Sequence, residues 1–300
     1  MRKISLPIFL SVCVLVCHSC NTCSRSQRVS DITIDLADFD MDSSYTDMAR
    51  KVFYALPTPV EMSILIKNSG IVWNADLLSN PADASKYLTH QKMALNFGVY
   101  ITDLTYAGLF QQSQTALRYK LAIHQLIEGL GLQSAINANT MQSLEENIND
   151  KDILLRIISD TYASCSASLN ESDRYSLTLT ILAGGWIESM YISTGTLNEN
   201  LFQNENRINQ LVIDQILTFD MMWHVMSELK YIPDVDDLLN EFSGLAQLFD
   251  QIGIFQTENV VINTEDASEI SSSNIINVTP EDFQQIKIQI QILRNNLTKI

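Results

Sequence analysis

Glycine and proline are scarce in this chain, at 10 and 6 among 300 residues, against average usage of about 7% and 5%. That excludes collagen-like and Pro/Gly-rich low-complexity chains, and a hydrophobic content of 46% excludes a wholly disordered one. Basic residues are few as well. Nineteen Lys and Arg face 35 Asp and Glu, for a formal net charge of −16. This removes the attraction for phosphate on which nucleic-acid binding rests, and it argues against a basic lipid-surface patch. Histidine is scarcer still, with four in all, none in H-E-x-x-H and none in a Glu-x-x-His pair. Zincin and ferritin-like di-iron sites therefore lack their ligands. No G-x-S-x-G, Walker A or G-x-G-x-x-G occurs either. No metal site or cofactor is evident, and enzyme chemistry has no recognisable nucleophile–base pair to start from.

Cysteine is concentrated at one end. Four of the five, Cys13, Cys17, Cys20 and Cys23, fall in the first 23 residues, and Cys165 stands alone. Arg2 and Lys3 precede a short apolar run, Ile4 to Val16, too short for a membrane span of about 20 residues. This is the pattern of a secretory leader. Ser19-Cys20 fits a lipoprotein cleavage site, with a small residue before the cysteine that takes the diacylglycerol. Residues 1–19 are thus expected to be a lipoprotein signal peptide and Cys20 the lipidated residue. Acyl chains, at ~0.8 kcal/mol per buried CH₂, hold a protein on a membrane without a spanning helix. Loss of Arg2 and Lys3 takes the charge to −16 − 2 = −18. Cys23 and Cys165 are read as free thiols, with a disulfide between them as the alternative in an oxidising compartment.

Residues 20–45 read as an acidic tether carrying Asp31, Asp35, Asp38, Asp40 and Asp42. The spacing lacks the Gly and terminal Glu of an EF-hand loop. Residues 46–256 read as an all-helical body. Thr58-Pro59-Val60-Glu61 and Thr279-Pro280-Glu281-Asp282 have the form of capping boxes with Pro at the first helical position. Asn80-Pro81-Ala82-Asp83 and Asn170-Glu171-Ser172-Asp173 mark two further starts. Apolar periodicity places helices near 46–55, 59–69, 81–90, 92–110, 113–130, 139–148, 151–168, 171–193, 203–229, 234–251 and 280–298. The segment 203–229 is apolar on most faces and is expected to be central. The run Ser176 to Ile192 is read as a buried helix rather than a membrane span, because Glu188 interrupts it and Asp173-Arg174 flank it. Ala94, Gly98 and Thr102 on one helix, and Ala183-Gly184-Gly185 on another, suit a close helix contact. Mid-helix Gly costs ~1 kcal/mol against Ala, and such contact offsets that cost. Residues 257–279 read as a polar loop and 280–300 as a C-terminal amphipathic helix. In that helix Phe283, Ile286, Ile290, Leu293 and Leu297 form a 3-4-3-4 seam. The seam is expected to dock on the body, with self-association as the alternative. The fold expected is all-α, a multi-helix bundle or helical-hairpin array of about ten helices.

Three stretches together carry a family resemblance: Ala55-Leu56-Pro57-Thr58-Pro59-Val60-Glu61, then Ala94-Leu95-Asn96-Phe97-Gly98-Val99-Tyr100 leading to Asp103-Leu104, then Ala183-Gly184-Gly185-Trp186-Ile187-Glu188. Over roughly residues 46 to 250 the chain resembles an uncharacterised family of all-helical lipoproteins from Bacteroides-type bacteria. The resemblance implies an outer-membrane lipoprotein facing the periplasm or the cell surface. It implies no reaction.

The polar residues that need explanation lie inside apolar helical runs. Asp103 has Tyr106 three residues on, and Glu188 has Tyr191 three residues on, so each acid shares a helix face with a tyrosine. Each follows a small-residue patch, as a faint internal duplication would place it. Two carboxyls meeting in an apolar cleft would split their pKa values and serve as acid and base or hold a metal. Capping or charge pairing inside the core is the plainer role for both. Asp220 and His224, four apart on one face, form a third candidate, and His124 with Glu128 has the same spacing in more polar company. Trp73, Trp186 and Trp223 suit either a ligand groove or the core. The reading that results is a membrane-anchored binding or interaction module, holding an envelope protein partner or a small ligand in a helix-lined groove. Its alternatives are an enzyme or metal-binding protein using Asp103 and Glu188, and a purely structural envelope component.

Overall fold

The computed structural model describes residues 58–68, 70–136, 138–172, 174–196, 206–253 and 278–300. The expected signal peptide, Cys20 with its tether, the helix near 46–55 and the polar stretch 257–277 lie outside the described residues. Among the described residues the fold is all-α, with nine α-helices, two short 3₁₀ helices and no strand. The helices are α1 (Pro59–Asn68), α2 (His90–Leu109), α3 (Ser113–Gly129), α4 (Ala138–Glu146), α5 (Lys151–Glu171), α6 (Tyr175–Thr196), α7 (Asn206–Glu228), α8 (Pro233–Gln251) and α9 (Pro280–Leu297). None is long and apolar enough to cross a membrane.

The centre is the pair α2–α6, which makes the most extensive contact in the molecule. Both helices are buried over almost their whole length. Glycine makes this possible. A methyl group on Gly98 would sit 2.1 Å from the Ile181 carbonyl oxygen, and one on Gly184 would sit 2.1 Å from that of Leu95. The two backbones therefore touch where other helix pairs hold side chains. Buried hydroxyls on these helices are satisfied locally. Thr102, Thr105, Ser189, Ser193 and Thr194 each donate to the carbonyl four residues earlier.

The other helices wrap this pair. α1 lies on α2, α6 and α5; α3 returns along α2 after a three-residue turn; α4 joins α3 to α5; α7 and α8 pack on α6; and α9 lies across α6 and α8. The segment expected to be central, 203–229, is α7, and it flanks the core instead, with Leu217 44% exposed. The small residues sit on α2 and α6, so those two helices approach most closely and take the middle.

Both capping boxes form. Thr58 and Glu61 exchange side-chain and backbone hydrogen bonds, as do Thr279 and Asp282. Two starts differ from expectation. The helix expected over 81–90 is a 3₁₀ helix, Pro81–Lys86, capped by Asn80. It stops there because Thr89 accepts a hydrogen bond from the Lys92 N–H and caps α2 itself, which leaves Tyr87 extended. The start expected at Asn170 falls inside the last turn of α5, where the Asn170 carbonyl Oδ1 accepts from the Thr178 hydroxyl of α6. The C-terminal seam faces inward, with Phe283, Ile286 and Ile290 fully buried, whereas Ile288 and Ile292 are 54% and 48% exposed. Docking on the body is thus the use to which that seam is put.

Candidate functional site

The core helices bring Asp103 and Glu188 together. Both are fully buried, and Glu188 is the charge that acts most strongly on Asp103. α9 supplies the counter-charge. Arg294 forms a bidentate pair with Glu188, Nε to one carboxylate oxygen at 2.9 Å and Nη2 to the other at 3.0 Å. Its guanidinium also lies over the Tyr191 ring, 4.6 Å from the centroid. The fourth participant is Ser79, in the segment between the two 3₁₀ helices. Its N–H donates to Asp103 Oδ2 at 3.1 Å, its Oγ accepts from Arg294 Nη2 at 2.6 Å, and its carbonyl accepts from the Tyr119 hydroxyl. Tyr100 donates to the neighbouring Asn80 carbonyl at 2.9 Å.

The electrostatics follow from this packing. Burial raises the Asp103 carboxyl well above its usual range; the charge of Glu188 adds to the effect, and Arg294 with the Ser79 N–H only partly counters it. Asp103 Oδ1 receives no donor, which is costly for a carboxylate. A carboxylic acid instead presents that edge as a donor, with Glu188 the neighbouring acceptor. Burial works against a charge on Arg294, but the charge and hydrogen bonds of Glu188 outweigh it, so the guanidinium is held more firmly protonated than usual. Burial raises the Tyr119 phenol, with Asp103 and Glu188 adding to it. Burial and the neighbouring Glu188 thus both favour the uncharged form of Asp103 beside the Glu188–Arg294 ion pair.

The remaining candidates are dispersed. The Tyr106 hydroxyl donates to the Val72 carbonyl and accepts from the Asn74 N–H, and its ring stacks on Trp73 at 4.9 Å. Trp186 donates to the Gln215 carbonyl at 3.1 Å and packs on Phe219, which also stacks on Trp223. Trp186 borders a void of about 10 Å³, the room of one water. Asp220 is half-buried, and burial raises its carboxyl, with His224 countering; His224 itself is exposed. His124 and Glu128 form an exposed pair at 3.9 Å. Cys165 is buried, and burial pushes its thiol up to about 12. Among the described residues no group of three or more His, Cys, Asp or Glu could hold a metal ion.

The larger opening lies elsewhere, where α2, α6, α8 and α9 meet. It is a cavity of about 210 Å³. Its floor is Leu95, Leu238 and Leu297 with Thr180; its rim carries Asp237 and Glu241 of α8 and Asn296 of α9. Lys92 stands at one side, its Nζ donating to the carbonyls of Leu297 and Lys299 at 3.0 and 2.9 Å. These bonds cap the last turn of α9 with a cation at its negative end. Sequence reasoning missed this site, because its lining comes from four helices without a shared motif. It missed Arg294 and Ser79 too. The available signal was that two acids on buried helices require a cation, and that Arg294 falls among the seam residues of α9.

No protein-family model, no curated protein and no solved structure matches the chain.

Proposed function

We propose that this chain is a lipid-anchored envelope protein whose helical body binds a small ligand in the cavity between α2, α6, α8 and α9. The observation that carries the reading is the cavity itself, with an apolar floor, a polar rim and a volume of about 210 Å³. Small-molecule sites have this character, an apolar lining with a few placed polar groups. Anchoring rests on Arg2-Lys3, the apolar run that follows and Ser19-Cys20, and the family resemblance points the same way, to an outer-membrane lipoprotein. The acidic tether, residues 20–45, would keep the body clear of an anionic membrane surface. A partner protein of the envelope remains compatible with the same anchored body.

The acid pair supports fastening better than catalysis. Glu188 is engaged on both oxygens by Arg294, and neither it nor Asp103 lines the 210 Å³ cavity. For either carboxyl to reach a substrate, α9 would first have to leave. Two measurements test the proposal. Cys20→Ala is expected to abolish acyl labelling and membrane fractionation; unchanged labelling sinks the anchoring site. Ligand-observed NMR with a fragment set is expected to give hits that a plugged rim, Asn296→Trp, removes; hits indifferent to that change would sink the cavity as the binding site.

A further inference from the structure

α9 carries a second seam on its outer side. Among the described residues it is the one helix with two exposed large apolar side chains, Ile288 and Ile292, one turn apart. Continuing their spacing in both directions gives Glu281, Gln285, Ile288, Ile292, Asn295 and Lys299, a 4-3-4-3-4 series of the coiled-coil kind. All six are exposed, while Phe283, Ile290 and Leu297 are buried on the opposite side of the helix. The outer seam is a palindrome in its chemistry. Its members lie two, five and nine residues to either side of Ile290, as apolar with apolar, amide with amide and acid with base. Neither Glu281 nor Lys299 has an ion-pair partner among the described residues.

We propose that this face of α9 docks on the same face of a second copy of the chain, the two helices antiparallel about a two-fold axis that passes Ile290. Ile288 then meets Ile292 of the second copy, Gln285 meets Asn295, and Glu281 meets Lys299, each pairing occurring twice as an isologous contact requires. A 4-3-4-3-4 spacing is the same read in either direction, so the antiparallel copy meets it in step. A parallel pairing would keep the isoleucines together but set Glu281 on Glu281 and Lys299 on Lys299, and such like-charge contacts are selected against. Lys299 lies just past the C-cap Thr298, and its flexible four-carbon stem spans the remaining gap. The amides at 285 and 295 both donate and accept, and polar groups within a seam specify its register. Gln289 and Gln291 flank the middle, so no like charges are brought together there. The inner seam and the Arg294–Glu188 pair stay on their own body, and the pairing is independent of the ligand cavity.

The test is sedimentation equilibrium of the full chain in one detergent at low ionic strength, over a concentration series. A contact of one helix per copy belongs with the small, transient interfaces below about 1,200 Å², so the dimer is expected to have a dissociation constant on the order of 100 µM. Ile288→Gln/Ile292→Gln is expected to weaken it by about tenfold or more. Glu281→Lys alone sets a lysine against Lys299 of the second copy and is expected to weaken it by about fivefold. Glu281→Lys/Lys299→Glu pairs the charges again and is expected to return it to within about twofold of the parent. Each substitution is at an exposed position, and unchanged far-UV circular dichroism is required of each variant. A chain still monomeric at about 1 mM, tenfold above the expected midpoint, or a dimer indifferent to the isoleucine change, overturns the pairing. A double charge variant no stronger than Glu281→Lys alone overturns the antiparallel arrangement.

Discussion

Replacing Arg294 by Met removes the charge that α9 brings to the core while keeping a flexible apolar stem. Glu188 is fully buried, and the Arg294 side chain is only 12% exposed, so water does not replace the lost guanidinium. The variant must carry an unpaired carboxylate beside Asp103, with Ser79 Oγ also stripped of its donor. Removing one partner of a buried pair costs about 3–5 kcal/mol. At ~2–4 °C per kcal/mol for a domain of this size, the melting temperature should fall by about 6–20 °C. Urea unfolding followed by circular dichroism measures the loss directly. Glu188→Gln in the Arg294→Met background removes the stranded charge, so the double variant should recover much of the deficit and the cycle should be strongly non-additive. A loss under about 1 kcal/mol, as for an exposed ion pair, or simple additivity in the cycle, would refute the reasoning.

Two further outcomes follow from the same core. The native state keeps a proton on Asp103 that the unfolded chain sheds, because the native carboxyl is raised by burial. That contribution to stability is full below the unfolded value of about 3.9 and is lost as pH rises toward the native value, at ~1.4 kcal/mol per pH unit. Asp103→Asn keeps a neutral donor at this position, so urea midpoints between pH 4.5 and 6.5 should flatten relative to the parent; an unchanged slope would assign the proton elsewhere. Gly98→Ala would drive a methyl group to 2.1 Å from one backbone atom and 2.7 Å from another and should cost ~3 kcal/mol or more. Gly244→Ala on α8, with nothing within 4 Å, should instead stabilise by ~1 kcal/mol; equal effects of the two in thermal melts would contradict the backbone contact between α2 and α6.

Local chemistry was legible in the sequence and long-range pairing was not. Thr58-Pro-Val-Glu and Thr279-Pro-Glu-Asp announce helix starts because every group in the box lies within four residues. Gly98 and Gly184-Gly185 announce a close approach because a bare backbone in a helix needs a reason. Asp103 and Glu188 stand out as charges in apolar runs. None of these signals says which surfaces meet. Arg294 is 106 residues from Glu188 and Ser79 is 215 residues from Arg294, and no periodicity links them. The same gap explains the error over 203–229, where high apolar content marked a helix as central although the small residues of α2 and α6 decide which pair comes closest. It also explains the short 3₁₀ helix at 81–86, where two valid caps, Asn80 and Thr89, compete for one stretch of chain.

The buried ion pair does something for α9 that its apolar seam alone does not. Phe283, Ile286, Ile290, Leu293 and Leu297 repeat every three or four residues, so a four-residue slide keeps apolar groups at only part of the seam and brings Lys287 and Arg294 to the places of Phe283 and Ile290. Apolar burial already disfavours that slide. Arg294 adds to the distinction, because the slide would bring Ile290 or Thr298 to the position opposite Glu188 and strand a carboxylate in the core. A well-packed apolar replacement could match the stability, yet it would encode the register less firmly. Register matters here because α9 also forms one wall of the cavity. With Arg294 seated on Glu188, Leu297 reaches the apolar floor, the last carbonyls meet Lys92, and Asn296 stands at the rim with Asp237 and Glu241. The acid pair first singled out as a candidate for chemistry thus acts one step removed from it: by holding α9 in one register, it sets the shape of the site that the ligand would enter.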